Sequence, residues 1–270
     1  MPRVGPAGYP MGSKGAVDAV ERAAAMGFSA MEVQFVRQAR MAEDKARQAG
    51  KKADELGVLL SAHAPYYINL NSPNREIRVK SVEWIMRSAR ICHQLGARIL
   101  VLHAASYAKS RPEDCTVTVR SALQSVRASM EEEGIEDVVL GLETMGKMGS
   151  WGTLEEIEAV VKEVPGTIPV IDFAHIHARS QGGLRSRGDF GAVLKKVKKF
   201  YPGRLHCHFS CIEYTSAGEK RHLPLNAGSP DYRLAVPLFK KMDEDLTLIS
   251  ETPPPEEGAK AMMWMLEAQG

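Results

Sequence analysis

Short apolar stretches alternate with longer amphipathic segments along the whole chain. Eight stretches rich in β-forming residues predict strands at residues 3–5, 30–35, 59–63, 99–103, 138–143, 169–172, 205–209 and 246–251. The segments between them carry apolar residues at helical spacing, as at Val17, Val20 and Ala24. Glycines such as Gly57 and Gly96 follow these segments and predict helix ends.

Eight strand–helix units in succession, with no linker-like segment between them, predict a closed parallel (β/α)₈ or TIM barrel. The chain has 270 residues, close to the ~250 typical of this fold, so we expect one TIM-barrel domain over residues 1–270. An open doubly wound sheet is the alternative, but no GxGxxG motif follows the first strand. That strand is short, because Pro2 and Pro6 leave little room for a hydrogen-bonded ladder.

Composition excludes several classes of protein. Four cysteines in a chain of this length indicate a reduced compartment rather than a disulfide framework. The first twelve residues contain no apolar signal-peptide core, and no apolar run approaches the ~20 residues needed to cross a bilayer. We therefore expect a cytoplasmic protein without a membrane partner.

Residue types that bind metals fall at the carboxyl ends of six predicted strands. They are His63, His103, Glu143, Asp172, His208 and Glu251, and His175 and His222 extend the same set. In a TIM barrel these strand ends meet at one mouth, where active sites lie. Imidazoles and carboxylates buried together without partners are costly, and Zn²⁺, Mn²⁺ or iron would bind them.

Each of these residues also has a structural interpretation. A single histidine is more often a hydrogen-bonded structural residue than a ligand, and a single carboxylate can cap a helix. Their joint placement at successive strand ends favours a metal site. His93 lies within a helical segment and is predicted to be structural. The roles of His177 and His206 stay open, although period-two geometry aims His206 to the same side as His208.

The stretches around these residues resemble the signature sequences of the endonuclease IV family. They are SAHAPYYINLNSP (61–73), LVLHAAS (100–106), LGLETMGKMG (140–149), VIDFAHIHA (170–178), HFSCIEY (208–214), KRHLPLNAG (220–228) and ISETPPP (249–255). The resemblance runs in order across most of the chain, and the HAPYYINL and LET stretches are its most specific parts. It implies a (β/α)₈ barrel with three clustered metal ions, usually zinc. It also implies cleavage of DNA 5′ to an abasic site, which leaves a 3′-hydroxyl in base excision repair.

The same resemblance implies a ligand set. His63 and His103 would hold the first metal, and Glu143 would bridge it to the second. Asp172, His208 and Glu251 would complete the second site, and His175 and His222 would hold the third. Two or three Zn²⁺ ions are expected, with Mn²⁺ or Fe²⁺ as alternatives, and double-stranded DNA containing abasic sites is the expected partner of a monomer.

One departure from the family concerns the third metal. Family members have an aspartate two residues before the last histidine, but Lys220 occupies that position here. We expect Glu219, one residue earlier, to supply the carboxylate. Otherwise the third site is weak, or Lys220 replaces the charge of the metal.

Phosphodiester hydrolysis needs activated water and relief of negative charge, which clustered metals supply. We assign Glu143 as the bridging ligand and Glu251 as a ligand that also orients the attacking water. The predicted loops above the strand ends are basic, as expected for binding a phosphate backbone. Candidate DNA-binding residues are Arg40, Tyr66, Tyr67, Lys220 and Arg221, and by resemblance Arg40 and Tyr66 would enter the duplex at the abasic nucleotide.

Two other functions compete with this one. A single-metal sugar isomerase or epimerase of the xylose-isomerase-like barrels would use only Glu143, Asp172, His208 and Glu251, and would not require His63 or His103. A DNA-binding protein without activity would result if Lys220 disabled the third site. The number of metals per chain separates the first alternative from the nuclease, and binding without nicking identifies the second.

Overall fold

The computed structural model describes residues 1–268, which form alternating strands and helices. The strands are β1 (Arg3–Pro6), β2 (Ala30–Gln34), β3 (Leu59–His63), β4 (Ile99–Leu102), β5 (Ala105–Ser106), β6 (Val139–Glu143), β7 (Ser150–Trp151), β8 (Thr167–Asp172), β9 (Leu205–Phe209), β10 (Cys211–Thr215), β11 (Gly218–Leu223) and β12 (Leu246–Ser250). The α-helices are α1 (Ala16–Ala25), α2 (Glu43–Leu56), α3 (Arg75–Leu95), α4 (Pro112–Glu132), α5 (Leu154–Val161), α6 (Phe173–Arg179), α7 (Arg187–Phe200), α8 (Tyr232–Met242) and α9 (Pro255–Ala268).

Eight of the strands form one parallel sheet in the order β1-β12-β9-β8-β6-β4-β3-β2. The two ends of the sheet approach each other, because Ala7 forms a parallel bridge with Glu32 and the Ser29 amide donates to the Val4 carbonyl at 3.1 Å. The sheet is therefore a nearly closed barrel with helices between its strands. The predicted TIM-barrel fold is confirmed.

Alternating side chains along each strand fill two separate spaces. Residues such as Leu100, Leu102 and Phe209 face the helices and belong to the main hydrophobic core. The opposite set faces the barrel interior, where space is limited. A Cβ atom on Gly141 would lie 2.6 Å from a methyl group of Val170, so glycine is required at that position of β6.

The helices begin and end largely where the sequence indicates. Gly57 and Gly96 adopt the left-handed conformation directly after α2 and α3, which glycine does without steric cost. Val20 on α1 is buried as the spacing predicts, whereas Val79 at the start of α3 is exposed. Among residues 1–268, no helix is both long enough and apolar enough to span a membrane.

Several predicted boundaries need correction near the mouth. His103 and Glu251 do not end strands, because each lies one residue past the last ladder position of β4 and β12. His222 lies on β11 and not in a loop. Here the chain forms an antiparallel hairpin of β10 and β11 above the barrel, and β5 and β7 form a second small ladder on the same side.

Candidate metal centre

All eight predicted histidine and carboxylate ligands lie together at the carboxyl ends of the barrel strands. The cleft above them is lined by side chains from at least six segments of the chain. The lining residues include His63, Tyr66, His103, His175, Glu219, His222 and Glu251, together with Gln34, Val36, Thr252 and Pro253. The mouth of the barrel therefore combines a buried ionisable cluster with access from solvent.

Glu143 lies at the centre of the cluster and is buried. Its Oε2 is 3.1 Å from His63 Nε2 and 2.8 Å from His103 Nε2, and its Oε1 is 3.1 Å from His208 Nδ1. Burial raises the pKa of this carboxyl, but the adjacent His103 and His208 outweigh it and hold the pKa well below its usual range. Since His175 Nδ1 also lies 3.3 Å from its Oε1, Glu143 is an anion in contact with four imidazoles.

Backbone carbonyls set the proton positions on two of the histidines. His63 Nδ1 donates to the Ala64 carbonyl at 2.9 Å, and His175 Nδ1 donates to the Thr144 carbonyl at 2.9 Å. In the neutral ring, the Nε2 atom of each then carries a lone pair. These lone pairs face carboxylate oxygens, with His63 Nε2 toward Glu143 and His175 Nε2 3.4 Å from Glu219 Oε2.

A lone pair facing an anionic oxygen is stable only if a cation lies between them or beside them. In the protein alone that cation is a proton. Burial lowers the pKa of His63, but the hydrogen bond and charge of Glu143 outweigh burial and raise it to about 9. A divalent metal can replace such protons, since neutral imidazole and carboxylate are ligands of Zn²⁺. The donor chemistry therefore fits a metal centre.

Asp172 offers a second indication of a cation. One carboxylate oxygen accepts from the His175 amide at 2.6 Å and thereby caps α6. The other, Oδ2, is buried and has no hydrogen-bond partner among the described residues. A buried carboxylate oxygen without a partner is costly, and Oδ2 lies toward the cluster, 3.7 Å from His175 Nδ1.

Glu251 lies at the edge of the cluster and lines the cleft. Its Oε1 is 3.5 Å from His208 Nδ1 and its Oε2 is 3.8 Å from His222 Nδ1. Burial raises the pKa of this carboxyl despite both histidines. Glu251 therefore takes up a proton more readily than Glu143 does.

Atoms that could bind metals fall into three groups around these residues. In each group the candidate ligand atoms lie within 4.8 Å of one another. The groups are His63, His103 and Glu143; Glu143, Asp172, His175 and Glu251; and His175, His222 and Glu251. Since Glu143, His175 and Glu251 are shared between groups, the arrangement can bridge adjacent ions.

A β-bulge in the hairpin brings Glu219 into this cluster. Glu213 pairs with Arg221 and Tyr214 pairs with Glu219, so Lys220 is an extra residue in β11. In a regular strand Glu219 and His222, three residues apart, would face opposite sides. The bulge allows both to face His175, whose ring lies 5.2 Å from that of His222.

Lys220 and Arg221 lie on the outer side of the hairpin. Both donate to the Glu213 carboxylate, Arg221 Nε at 2.6 Å, and both side chains are exposed. The alternative in which Lys220 supplies the charge of the third metal does not agree with this geometry.

The loop after β6 supports the hairpin from below. Arg179 Nη1 donates to the carbonyls of Lys147 and Ser150 at 2.7 and 2.8 Å, so this arginine holds the loop. The Gly146 carbonyl in turn accepts from the Glu219 amide at 3.1 Å. A Cβ atom on Gly146 would lie 2.7 Å from the Cβ of Glu219, so glycine is needed here.

The remaining predicted DNA-binding side chains lie on the loops after β2 and β3 and are exposed. Tyr66 and Tyr67 are exposed by 49% and 46%, and the Tyr66 hydroxyl donates to the Tyr67 hydroxyl at 2.9 Å. Tyr66 lines the cleft, whereas the Tyr67 ring packs toward Trp84 on α3. Arg40 is exposed and donates to the Gln38 side chain at 2.7 Å.

Sequence reasoning missed Glu32 and left His206 undecided. Glu32 is fully buried and accepts from His206 Nε2 at 2.9 Å, which places His206 on the same inward side as His208. A charged residue inside the hydrophobic run of β2 was the available signal. His177 lies away from the mouth and bonds Ser229 at 2.8 Å, and His93 pairs with Asp137 on the surface, as expected of a structural histidine.

The fold and the site together define a TIM barrel with overlapping groups of potential metal ligands at the carboxyl ends of its strands. The chain belongs to the xylose isomerase-like TIM-barrel family, whose model matches residues 20–269. The family resemblance drawn from the motifs is thereby confirmed.

Two related sequences differ in how much of this chain they match. An uncharacterised protein of Methanocaldococcus jannaschii is 33% identical and covers 96% of this chain and 94% of its own length. A probable endonuclease 4 of Thermosipho africanus is 28% identical over 52% of this chain and 49% of its own length. The match to the latter therefore spans about half of each protein.

Two solved structures of similar fold have different activities in their names. Endonuclease IV of Thermus thermophilus has a TM-score of 0.73 at 22% identity and covers 99% of this chain and 98% of its own. The 3-keto-D-glucoside 4-epimerase of E. coli has a TM-score of 0.74 at 13% identity, with coverage of 99% and 100%. At these identities the likeness extends to the fold alone.

Proposed function

We propose that the protein is a metal-dependent apurinic/apyrimidinic endonuclease that hydrolyses DNA 5′ to an abasic site and leaves a 3′-hydroxyl. The observation that carries this proposal is the set of three overlapping imidazole–carboxylate groups, two of which share Glu143 and two of which share Glu251, enough for two or three ions. We further propose that it acts as a cytoplasmic monomer in base excision repair, which the motifs shared with endonuclease IV support.

His63 and His103 would hold the first ion, Asp172, His208 and Glu251 the second, and His175, His222 and Glu219 the third, with Glu143 between the first two. The donor types suit Zn²⁺, and also Mn²⁺ or Fe²⁺. When bound, clustered ions generate a nucleophile from water at neutral pH and neutralise charge on the phosphate.

Glu251 would hold the attacking water and accept its proton. Its carboxylate borders the open cleft, and burial raises its pKa toward the range useful for proton transfer. Glu143 is enclosed by histidines and has no such access. Glu143 would therefore act as a bridging ligand, and Glu251 as the proton acceptor.

The rim of the cleft would bind the DNA. Lys220 and Arg221 would contact phosphates of one strand, and Arg40 and Tyr66 would enter the duplex at the missing base. Unstacking is least costly where a base is already absent, and an aromatic side chain can fill the gap. Tyr67, packed toward Trp84, would support Tyr66.

Incision of a labelled duplex with one abasic site tests this proposal. Glu251→Gln keeps the side-chain shape but removes the proton acceptor, so kcat should fall about 100- to 10,000-fold, the range of general-base catalysis. Glu257→Gln, an exposed carboxylate on α9, should cleave like the native protein. Near-native cleavage by Glu251→Gln would remove Glu251 from the mechanism, and the absence of cleavage by metal-loaded native protein would overturn the proposed activity.

A sugar isomerase or epimerase is the second candidate. Glu143, Asp172, His208 and Glu251 alone would serve a single ion, and one of the solved structures of similar fold is an epimerase by name. One Mn²⁺ per chain and interconversion of ketohexoses would favour this candidate. Two or three Zn²⁺ ions and cleavage of abasic DNA would exclude it.

A further inference from the structure

Glu32 is a fully buried carboxylate on β2, below the mouth of the barrel. It accepts hydrogen bonds from four side chains at once. Ser61 Oγ and His206 Nε2 each donate at 2.9 Å, Gln34 Nε2 donates at 3.1 Å, and His208 Nε2 lies 3.2 Å from Oε1. A buried charge with this many partners is held in one orientation.

His208 connects Glu32 to the cluster above it. Its Nε2 donates to Glu32, whereas its Nδ1 lies 3.1 Å from Glu143 Oε1 and 3.5 Å from Glu251 Oε1. An ionised carboxylate has no proton to give, so Nε2 carries a hydrogen toward Glu32, and in the protein alone Nδ1 carries a second one toward Glu143. A metal bound at Nδ1 would replace that second hydrogen. In the neutral ring Nδ1 then presents its lone pair to the cluster.

We infer that Glu32 is the positioning residue for His208, holding the imidazole in the tautomer and orientation that a metal ligand needs. This inference rests on the proposed metal centre. Carboxylates that accept from the outer nitrogen of a ligating histidine fix the ring and raise its basicity, and their loss costs about 10- to 100-fold in metal affinity. His206 and Ser61 act one step further out, since they orient Glu32.

The same three side chains could instead form a cation site of their own. Glu32, His206 and His208 have candidate ligand atoms within 4.8 Å of one another. The positioning role agrees better with the contacts, because both Glu32 oxygens already accept from other side chains, Oε1 from Gln34 and Oε2 from Ser61 and His206. In a separate cation site His206 would be a ligand, so replacing His206 would lower the number of bound ions by one. In a positioning network the number of ions would not change.

The experiment compares metal binding by native protein and Glu32→Gln, loaded with Zn²⁺ or Co²⁺ and titrated with a competing chelator. Glu32→Gln keeps the volume of the side chain and removes the charge. One ion should bind about 10- to 100-fold more weakly, and the visible absorption of the Co²⁺ form should change. Glu257→Gln, the same change at an exposed carboxylate on α9 that takes no part in these contacts, should retain the native affinity and spectrum.

Two further variants keep the test decisive. Glu32→Asp retains the charge and should restore part of the metal affinity. This variant provides the comparison if circular dichroism shows that Glu32→Gln folds poorly. His206→Asn should retain every ion, and the loss of a whole ion would replace the positioning role with a separate cation site.

Native affinity and spectrum in folded Glu32→Gln would overturn the inference while leaving the metal centre intact. If His208→Ala binds metal as the native protein does, both the inference and the proposed centre fail.

Discussion

At the scale of single residues, the proposed third metal site adds Glu219 to the group of His175, His222 and Glu251. Glu219 reaches within 3.4 Å of His175, whereas Lys220 faces Glu213 on the outside. Replacing Glu219 with alanine should therefore remove about one ion per chain or greatly weaken its binding, because a direct ligand is lost. Metal quantification after gel filtration checks this.

Lys220→Ala is the matched control for that change. It removes a charge from the adjacent position without touching the cluster, so the ion count should equal that of the native protein. Loss of an ion in Lys220→Ala but not in Glu219→Ala would reverse the assignment of these two residues.

At the scale of elements, the β10–β11 hairpin offers a test of the bulge. Deleting Lys220 leaves Glu219 two residues before the histidine, a spacing at which both face the same side of a regular strand. The shortened hairpin should therefore keep the third ion, and adding Glu219→Ala to the deletion should lose it. An ion count that falls on deletion alone would show that the bulge itself is required.

Some elements of this structure can be predicted from the sequence and others cannot. The strands and the histidines and carboxylates at their ends follow from local hydrophobic patterns, because a TIM barrel brings all these ends to one mouth. The bulge does not follow from spacing, since only pairing with β10 identifies Lys220 as the extra residue. Glu32 was missed because its buried partners Ser61 and His206 lie 29 and 174 residues away, and only the barrel brings them together.

At the scale of the whole molecule, the cluster links metal binding to stability. Without ions, Glu143, Asp172 and Glu251 lie close together in a largely buried space. Ligand bound only by the folded state adds ~4 kcal/mol per site at a thousand times its Kd, or roughly 8–16 °C in Tm for a chain of this size. Calorimetry with and without chelator should show that difference, and an unchanged Tm would indicate that the cluster holds no metal.

The central claim is that a polynuclear metal centre at this mouth cleaves DNA at abasic sites. The most direct test is incision of an abasic duplex by chelator-treated protein, followed as Zn²⁺ is added back and the ions per chain are counted. We predict no cleavage without metal and, once two or three ions are bound, a single nick 5′ to the abasic site with a 3′-hydroxyl. Protein that binds its full complement of ions and leaves the duplex intact, or that cleaves equally well without them, would contradict the claim.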